Sequence, residues 1–137
     1  MYIALDDACT TDQLEALRDL VRQVDLAPGP GGSRITPLTP AQTATALDLL
    51  ARDPATVLDV RAIALYPSSQ LVAHCDPPIP GTRLHLPLVT NPGCWSFSEG
   101  LWRQPTVGVF YAMDPSLIHG AVNWGATTRI HLMLDLA

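Results

Sequence analysis

The sequence changes character after Pro54. Before it, apolar residues recur at three- and four-residue spacings. Beyond it they come in short runs or alternate with polar residues, and Pro or Gly interrupts them every eight to twelve positions. Interruption at that rate excludes helices of ordinary length and leaves short strands. The pattern predicts strands over residues 57–66, 70–76, 83–90, 94–98, 106–113, 118–123 and 128–136. Strands this short, gathered in about eighty residues, fit a small barrel or jelly roll.

Two helices are expected ahead of this region. Over 11–24, Leu14, Leu17, Leu20, Val21 and Val24 mark one face, and Thr10 with Gln13 has the spacing of a capping box. Thr39, Pro40 and Gln42 repeat the start signal for a second helix over 40–52, with proline at the first helical position. The Pro- and Gly-rich stretch 28–40 reads as a loop, and its composition equally suits a mobile lid over a site. A chain of 137 residues is long enough for one domain with a real core and short for two. Residues 1–137 are therefore read as a single domain, with a helical N-terminal part over 1–54 and a β core over 55–137.

Composition narrows the function. Although 47% of the residues are apolar, no run approaches the roughly 20 needed to span a bilayer. The acidic start MYIALDDACTTDQ lacks the basic-then-apolar order of an export signal. A cytoplasmic protein with no membrane partner is expected. The net charge is −5 and the basic residues are dispersed, which argues against nucleic acid as a partner. Cys9, Cys75 and Cys94 show no CxxC spacing, so neither a disulfide framework nor a zinc finger is indicated. Cys75 and Cys94 are read as buried apolar side chains.

All four histidines, His74, His85, His119 and His131, lie in the β part. Residues two apart on a strand share a face, so His74 and Asp76 present an imidazole and a carboxylate together while Cys75 turns away. Alone, an H-x-D tripeptide is commonplace and is usually a surface pair. A further histidine makes it the two-histidine, one-carboxylate set that holds Fe(II) with open coordination positions, and His119, in PSLIHGAVNWG, is the candidate. On 128–136, Arg129, His131, Met133 and Asp135 share one face, and Ile130, Leu132, Leu134 and Leu136 the other. Arg129 on so apolar a strand needs an acidic partner, because an unpaired buried charge destabilises by roughly 3–5 kcal/mol. A ligand carboxylate or an internal Asp or Glu would serve. In RLHLPL, Arg83 and His85 share one face and Leu84, Leu86 and Leu88 the other. Arg129 with His85 has the groups to hold one carboxylate and Arg83 another; alternatively this side of the sheet faces water.

The ordered set His74-Cys75-Asp76, Arg83-Leu84-His85, His119-Gly120 with Asn123 and Gly125, and Arg129 through Asp135 resembles the aspartyl/asparaginyl β-hydroxylase family of Fe(II)/2-oxoglutarate-dependent oxygenases, including its bacterial proline-hydroxylase-like branch. The resemblance spans residues 57–136. It implies a mainly β fold, a double-stranded β-helix (jelly roll, cupin-like) with two N-terminal helices. It also implies Fe(II) held by the catalytic set His74, Asp76 and His119, with 2-oxoglutarate gripped at its distal carboxylate by Arg129, assisted by His85, and O2 as oxidant. The arginine matching Arg83 contacts an acidic substrate group in peptidyl members, which gives Arg83 a substrate role. The implied reaction hydroxylates an unactivated C–H of an amino acid, free or in a small peptide or biosynthetic intermediate, and releases succinate and CO2. Asp76 argues against a halogenase, in which a small residue leaves that position to halide.

Two features depart from the peptidyl members. Gly81 stands where they carry a second arginine ahead of the R-x-H motif, which weighs against a peptidyl aspartate as substrate. The sequence ends at Ala137, directly after the last core strand, which implies a small open pocket or one completed in a homodimer. Rival functions for such a cavity are a non-enzymatic cupin-like metabolite-binding protein and a metal-dependent isomerase or hydrolase of cupin type. Neither needs a carboxylate anchor where Arg129 stands, ten residues beyond His119. Within the family, the alternative is a peptidyl aspartyl/asparaginyl β-hydroxylase. Trp95, Trp102 and Trp124 are read as core or rim packing, Asn91 and Asn123 as bonding to nearby backbone, and His131 as packing below the metal.

Overall fold

Both helix starts are made by the side chains that the spacing singled out. In the computed structural model, which describes residues 2–137, helix α1 (Thr11–Val21) opens with Thr10 Oγ1 accepting from the Gln13 N–H at 3.1 Å while Gln13 Oε1 accepts from the Thr10 N–H at 2.9 Å. Helix α2 (Pro40–Leu49) repeats the reciprocal pair with Thr39 and Gln42. Each helix ends three residues before its expected limit. After α2 the chain turns out through Ala51, whose φ of +52° no helix continues.

Among the described residues the strands are β1 (Ile3–Ala8), β2 (Ser33–Pro37), β3 (Val57–Leu65), β4 (Ser69–His74), β5 (Arg83–Val89), β6 (Cys94–Ser98), β7 (Leu101–Arg103), β8 (Val109–Met113), β9 (His119–Asn123) and β10 (Arg129–Leu136). They form two antiparallel sheets, a large one in the order β1-β8-β5-β10-β3-β2 and a small one in the order β4-β9-β6-β7. The seven expected strands are all present. β1, β2 and β7 are additions, each at the edge of a sheet, so the N-terminal part expected to be helical also supplies both edge strands of the large sheet. The 28–40 stretch expected to be a loop or lid is half strand: β2 pairs with β3 from Ser33 opposite Leu65 to Pro37 opposite Arg61. Proline is tolerated there because an edge strand has one side free of ladder bonds.

Period-two alternation sorts the large sheet into two chemically different faces. Val60, Ala62, Leu84, Leu86, Leu88, Phe110, Leu132 and Leu134 meet Leu17, Leu20, Val21 and Val24 of the α1 region and Ala46 and Leu47 of α2 in one apolar core. The opposite face carries Arg83, His85, Arg129 and His131, none more than 6% exposed. The water-facing alternative for that side is therefore overturned: those polar residues are inside.

The small sheet has no helix over its outer face among the described residues. That corrects two expectations. Trp95, Trp102 and Trp124 are not core but stand 37%, 56% and 62% exposed around Val122 on that uncovered side. Cys94 is buried as expected, but Cys75 is exposed, just beyond the end of β4, an edge strand of the small sheet. Asn91 and Asn123 do bond nearby backbone: Asn91 Oδ1 accepts from the Gly93 N–H and Asn123 Nδ2 donates to the carbonyls of Leu65 and Thr127. No helix among the described residues is long and apolar enough to cross a membrane.

Candidate active site

β4 and β9 place His74 directly opposite His119, with their ring centroids 4.3 Å apart. Close approach of the two strands depends on Gly120, where a Cβ would lie 2.7 Å from the Leu71 carbonyl oxygen. Asp76 follows β4 by two residues and is tied down by its backbone N–H, which donates to the Pro115 carbonyl at 2.9 Å. Its Oδ1 lies 3.5 Å from His74 Nε2 and its Oδ2 lies 3.4 Å from His119 Nε2. One ligand atom from each of the three residues falls within 4.8 Å of the others.

The tautomers follow from the second nitrogen of each ring. His74 Nδ1 is 2.6 Å from the Val72 carbonyl and His119 Nδ1 is 2.8 Å from the Leu117 carbonyl. A carbonyl only accepts, so each Nδ1 carries a proton, and Nε2 is the ring nitrogen that faces Asp76. Two imidazole nitrogens and a carboxylate thus converge, a donor set that could hold a divalent cation.

Burial would raise the Asp76 carboxyl. The hydrogen bond and charge of Arg83, helped by His119 and His74, outweigh burial and hold it below the usual carboxylate range. Arg83 bonds Asp76 Oδ2 at 2.6 Å and also grips Asp135, through Nε at 2.7 Å and Nη2 at 3.0 Å. Asp135 takes a further bond from Arg61 Nη2 at 2.9 Å.

Deeper in, Arg129 is 1% exposed. Its Nη2 reaches His131 Nδ1 at 3.1 Å and Ser96 Oγ at 3.4 Å, while Nε and Nη1 have no acceptor. Among the described residues it makes no ion pair with an Asp or Glu; the internal acidic partner considered from the sequence is absent there. Burial lowers its pKa, which is the cost of a charge held without a counterion. Orphaned buried N–H groups on a cation point to an anionic ligand. His85 lies beside it, its ring 5.7 Å from that of His131 and 5.5 Å from that of Tyr2. Burial first, then the charges of Arg129 and Arg83, hold His85 well below its usual pKa, so it is neutral.

His74, Asp76, His119, Arg83, His85 and Arg129 all line one cavity of about 210 Å³ between the sheets. His131 is fully buried against Arg129 and is not among the lining residues. Tyr2, Arg61 and Asp135 were missed as functional positions by sequence reasoning. Tyr2 is buried and lines the cavity, but nothing local marks the second residue of a chain as part of a site. Asp135 had a signal: it shares a face with Arg129, and a charge in that register needs a cross-strand partner.

A family model described as aspartyl/asparaginyl beta-hydroxylase matches residues 34–137. L-proline cis-4-hydroxylase of Rhizobium meliloti (strain 1021) is 41% identical over 54 residues, which are 39% of this chain and 19% of that protein; the match thus spans about a fifth of the relative's length. An oxidoreductase of the 2OG-Fe(II) oxygenase family from Burkholderia pseudomallei superposes with a TM-score of 0.74 at 13% identity, over 93% of this chain and 79% of that one. The viral collagen prolyl hydroxylase of Paramecium bursaria Chlorella virus-1, in its 2OG complex, does so with a TM-score of 0.68 at 14% identity, over 97% and 93%. At such identities the two structures speak for the fold alone. The family model takes in β2 through β10 and with them every residue of the cavity's polar wall except Tyr2, and on that match the chain belongs to the aspartyl/asparaginyl β-hydroxylase family.

Proposed function

We propose that the protein is an Fe(II)/2-oxoglutarate-dependent hydroxylase of an amino acid, free or within a small peptide or biosynthetic intermediate. His74, Asp76 and His119 would hold Fe(II), and Arg129 with His85 would hold 2-oxoglutarate. One observation carries the reading: the two imidazole Nε2 atoms and the carboxylate converge in the same cavity as a buried guanidinium with unused donors and, among the described residues, no carboxylate partner. When bound, Fe(II), 2-oxoglutarate and O2 supply an oxidant for an unactivated C–H and release succinate and CO2. The chain orients the reactants, fixes the two imidazoles through their Nδ1 bonds to backbone carbonyls and keeps the Arg129 end of the cavity buried.

The strand order supports reading β3 to β10 as a double-stranded β-helix: β3 pairs with β10, β4 with β9, β5 with β8 and β6 with β7. Because β1 and β2 flank that core within the same sheet, residues 1–137 are read as one domain. Gly81 supports a small substrate. A Cβ there would lie 2.6 Å from the carbonyl oxygens of both Leu136 and Ala137, so the arginine that peptidyl members carry at this place has no room.

Anaerobic titration with Fe(II) and then 2-oxoglutarate tests the proposal. A metal-to-ligand charge-transfer band in the visible is expected. Metal binding without that band would favour a cupin-like binding protein or a different metal chemistry. Free amino acids, N-acylated amino acids and short peptides, followed by mass spectrometry for an added oxygen alongside succinate, then identify the substrate class. Turnover of an internal peptidyl aspartate with none on small molecules would move the protein to the peptidyl branch.

A further inference from the structure

Family resemblance assigns Arg83 to the substrate, but its surroundings give it other work. All three guanidinium nitrogens are engaged: Nε and Nη2 fork onto the two oxygens of Asp135, and Nη1 donates to Asp76 Oδ2. The side chain is 7% exposed and that of Asp135 8%. The two residues are direct cross-strand partners on β5 and β10, and Asp135 is itself braced by Arg61, whose Nε lies 2.8 Å from Asp59.

We propose that Arg83 is a positioning residue for the metal carboxylate, fixed by Asp135 and holding Oδ2 of Asp76. This rests on the reading of His74, Asp76 and His119 as metal ligands. A carboxylate with both oxygens free can occupy two coordination positions on one ion. With Oδ2 bonded to a fixed guanidinium, the carboxylate plane is set, and Asp76 would have one oxygen fewer to wrap a metal in bidentate fashion, which would keep positions open for a co-substrate and O2. Only arginine suits the task. A planar fork spans Asp135 and still reaches Asp76, whereas an ammonium is a point donor on a flexible stem.

The test is the affinity of the full chain for Co(II), measured by calorimetry without 2-oxoglutarate. Arg83→Lys keeps the charge, so the field at the metal is conserved while the fork is lost. Asp135→Asn breaks the fork from the other side. Each is expected to weaken Co(II) binding by about 10- to 100-fold, as loss of a partner that orients a ligand does. Asp48→Asn, on α2 across the large sheet, removes a carboxylate outside this network and is expected to leave the affinity nearly unchanged. Wild-type affinity in both Arg83→Lys and Asp135→Asn would overturn the proposal and return Arg83 to the substrate, as would an equal loss in Asp48→Asn. Melting temperature and near-ultraviolet circular dichroism check folding, and if Asp135→Asn does not fold, Arg83→Lys decides. Failure of the underlying reading looks different: wild-type protein would bind no Co(II), or His74→Ala and His119→Ala would bind it as tightly as wild type.

Discussion

Arg129 and His131, two residues apart on β10, are bonded to each other, with Nη2 of the arginine 3.1 Å from Nδ1 of the histidine. Burial, then the charges of Arg129 and His85, keep His131 well below its usual pKa. It is therefore neutral, and its Nδ1 accepts. The bond fixes one edge of the guanidinium and leaves Nε and Nη1 for a ligand. Arg129→Ala is expected to weaken 2-oxoglutarate binding while sparing the metal, since no triad residue touches it. Loss of a charge-assisted contact costs about 1.5–3 kcal/mol, about ten- to a hundredfold in Kd. Calorimetric titration of the metal-loaded protein reads this directly; an unchanged Kd would put the anchor elsewhere.

His74→Ala, Asp76→Ala and His119→Ala should each abolish stoichiometric Fe(II) binding and O2-dependent succinate formation, because each removes one of the three proposed ligands. Equilibrium dialysis with metal analysis is the measurement. Tight binding retained in all three variants would sink the triad.

Gly120→Ala tests how the strands set the site. The added methyl meets the Leu71 carbonyl oxygen at 2.7 Å and the Ala73 backbone at 3.3 Å, so β4 must move away from β9 and carry His74 away from His119. Weaker metal binding in a folded protein is expected, with 2-oxoglutarate contacts at Arg129 untouched. Wild-type metal affinity in this variant would mean that the ligands tolerate a wider strand separation.

The metal-free protein should lose stability below pH 6.5. Burial and the neighbouring charges of Arg129, Arg83, His119 and Arg61 depress His85, and burial with Arg129 and His85 depresses His131. Both are neutral when folded but take up protons near their ordinary value of 6.5 once unfolded. The unfolded chain then binds more protons, so this stability is complete above that pH and declines as pH falls, approaching about 1.4 kcal/mol per pH unit for each histidine. The lowered carboxyl of Asp76 acts only below its ordinary 3.8, outside this window. Thermal melts from pH 8 to 5 should show the decline, and His131→Gln should flatten it. An equally steep profile in that variant would assign the titration to other groups.

Some of this molecule was legible before folding because the information is local. Thr10 with Gln13 and Thr39 with Gln42 start helices through bonds three residues long. The period of two along 129–136 put Arg129, His131, Met133 and Asp135 on one face whatever lay opposite. His74 and Asp76 meet for another reason, because β4 stops at His74 and the bond of the Asp76 N–H to the Pro115 carbonyl sets the carboxylate.

Edge strands were not legible, since β1 and β2 exist by virtue of the open sides of β8 and β3, and their own residues alternate weakly. Exposure of the three tryptophans was not either, because both helices pack on the large sheet and nothing in a strand's own pattern says which sheet they will choose. The pairing of Arg83 with Asp135 joins residues 52 apart, and Tyr2 enters the cavity wall only once β1 docks on β8. Residue types and their faces were thus determined along the chain, where one or two bonds decide them. Which charges neutralise one another, and which guanidinium is left free for a ligand, was decided by register between distant strands, because Coulomb energy and hydrogen bonding depend on separations in space that no sequence interval encodes.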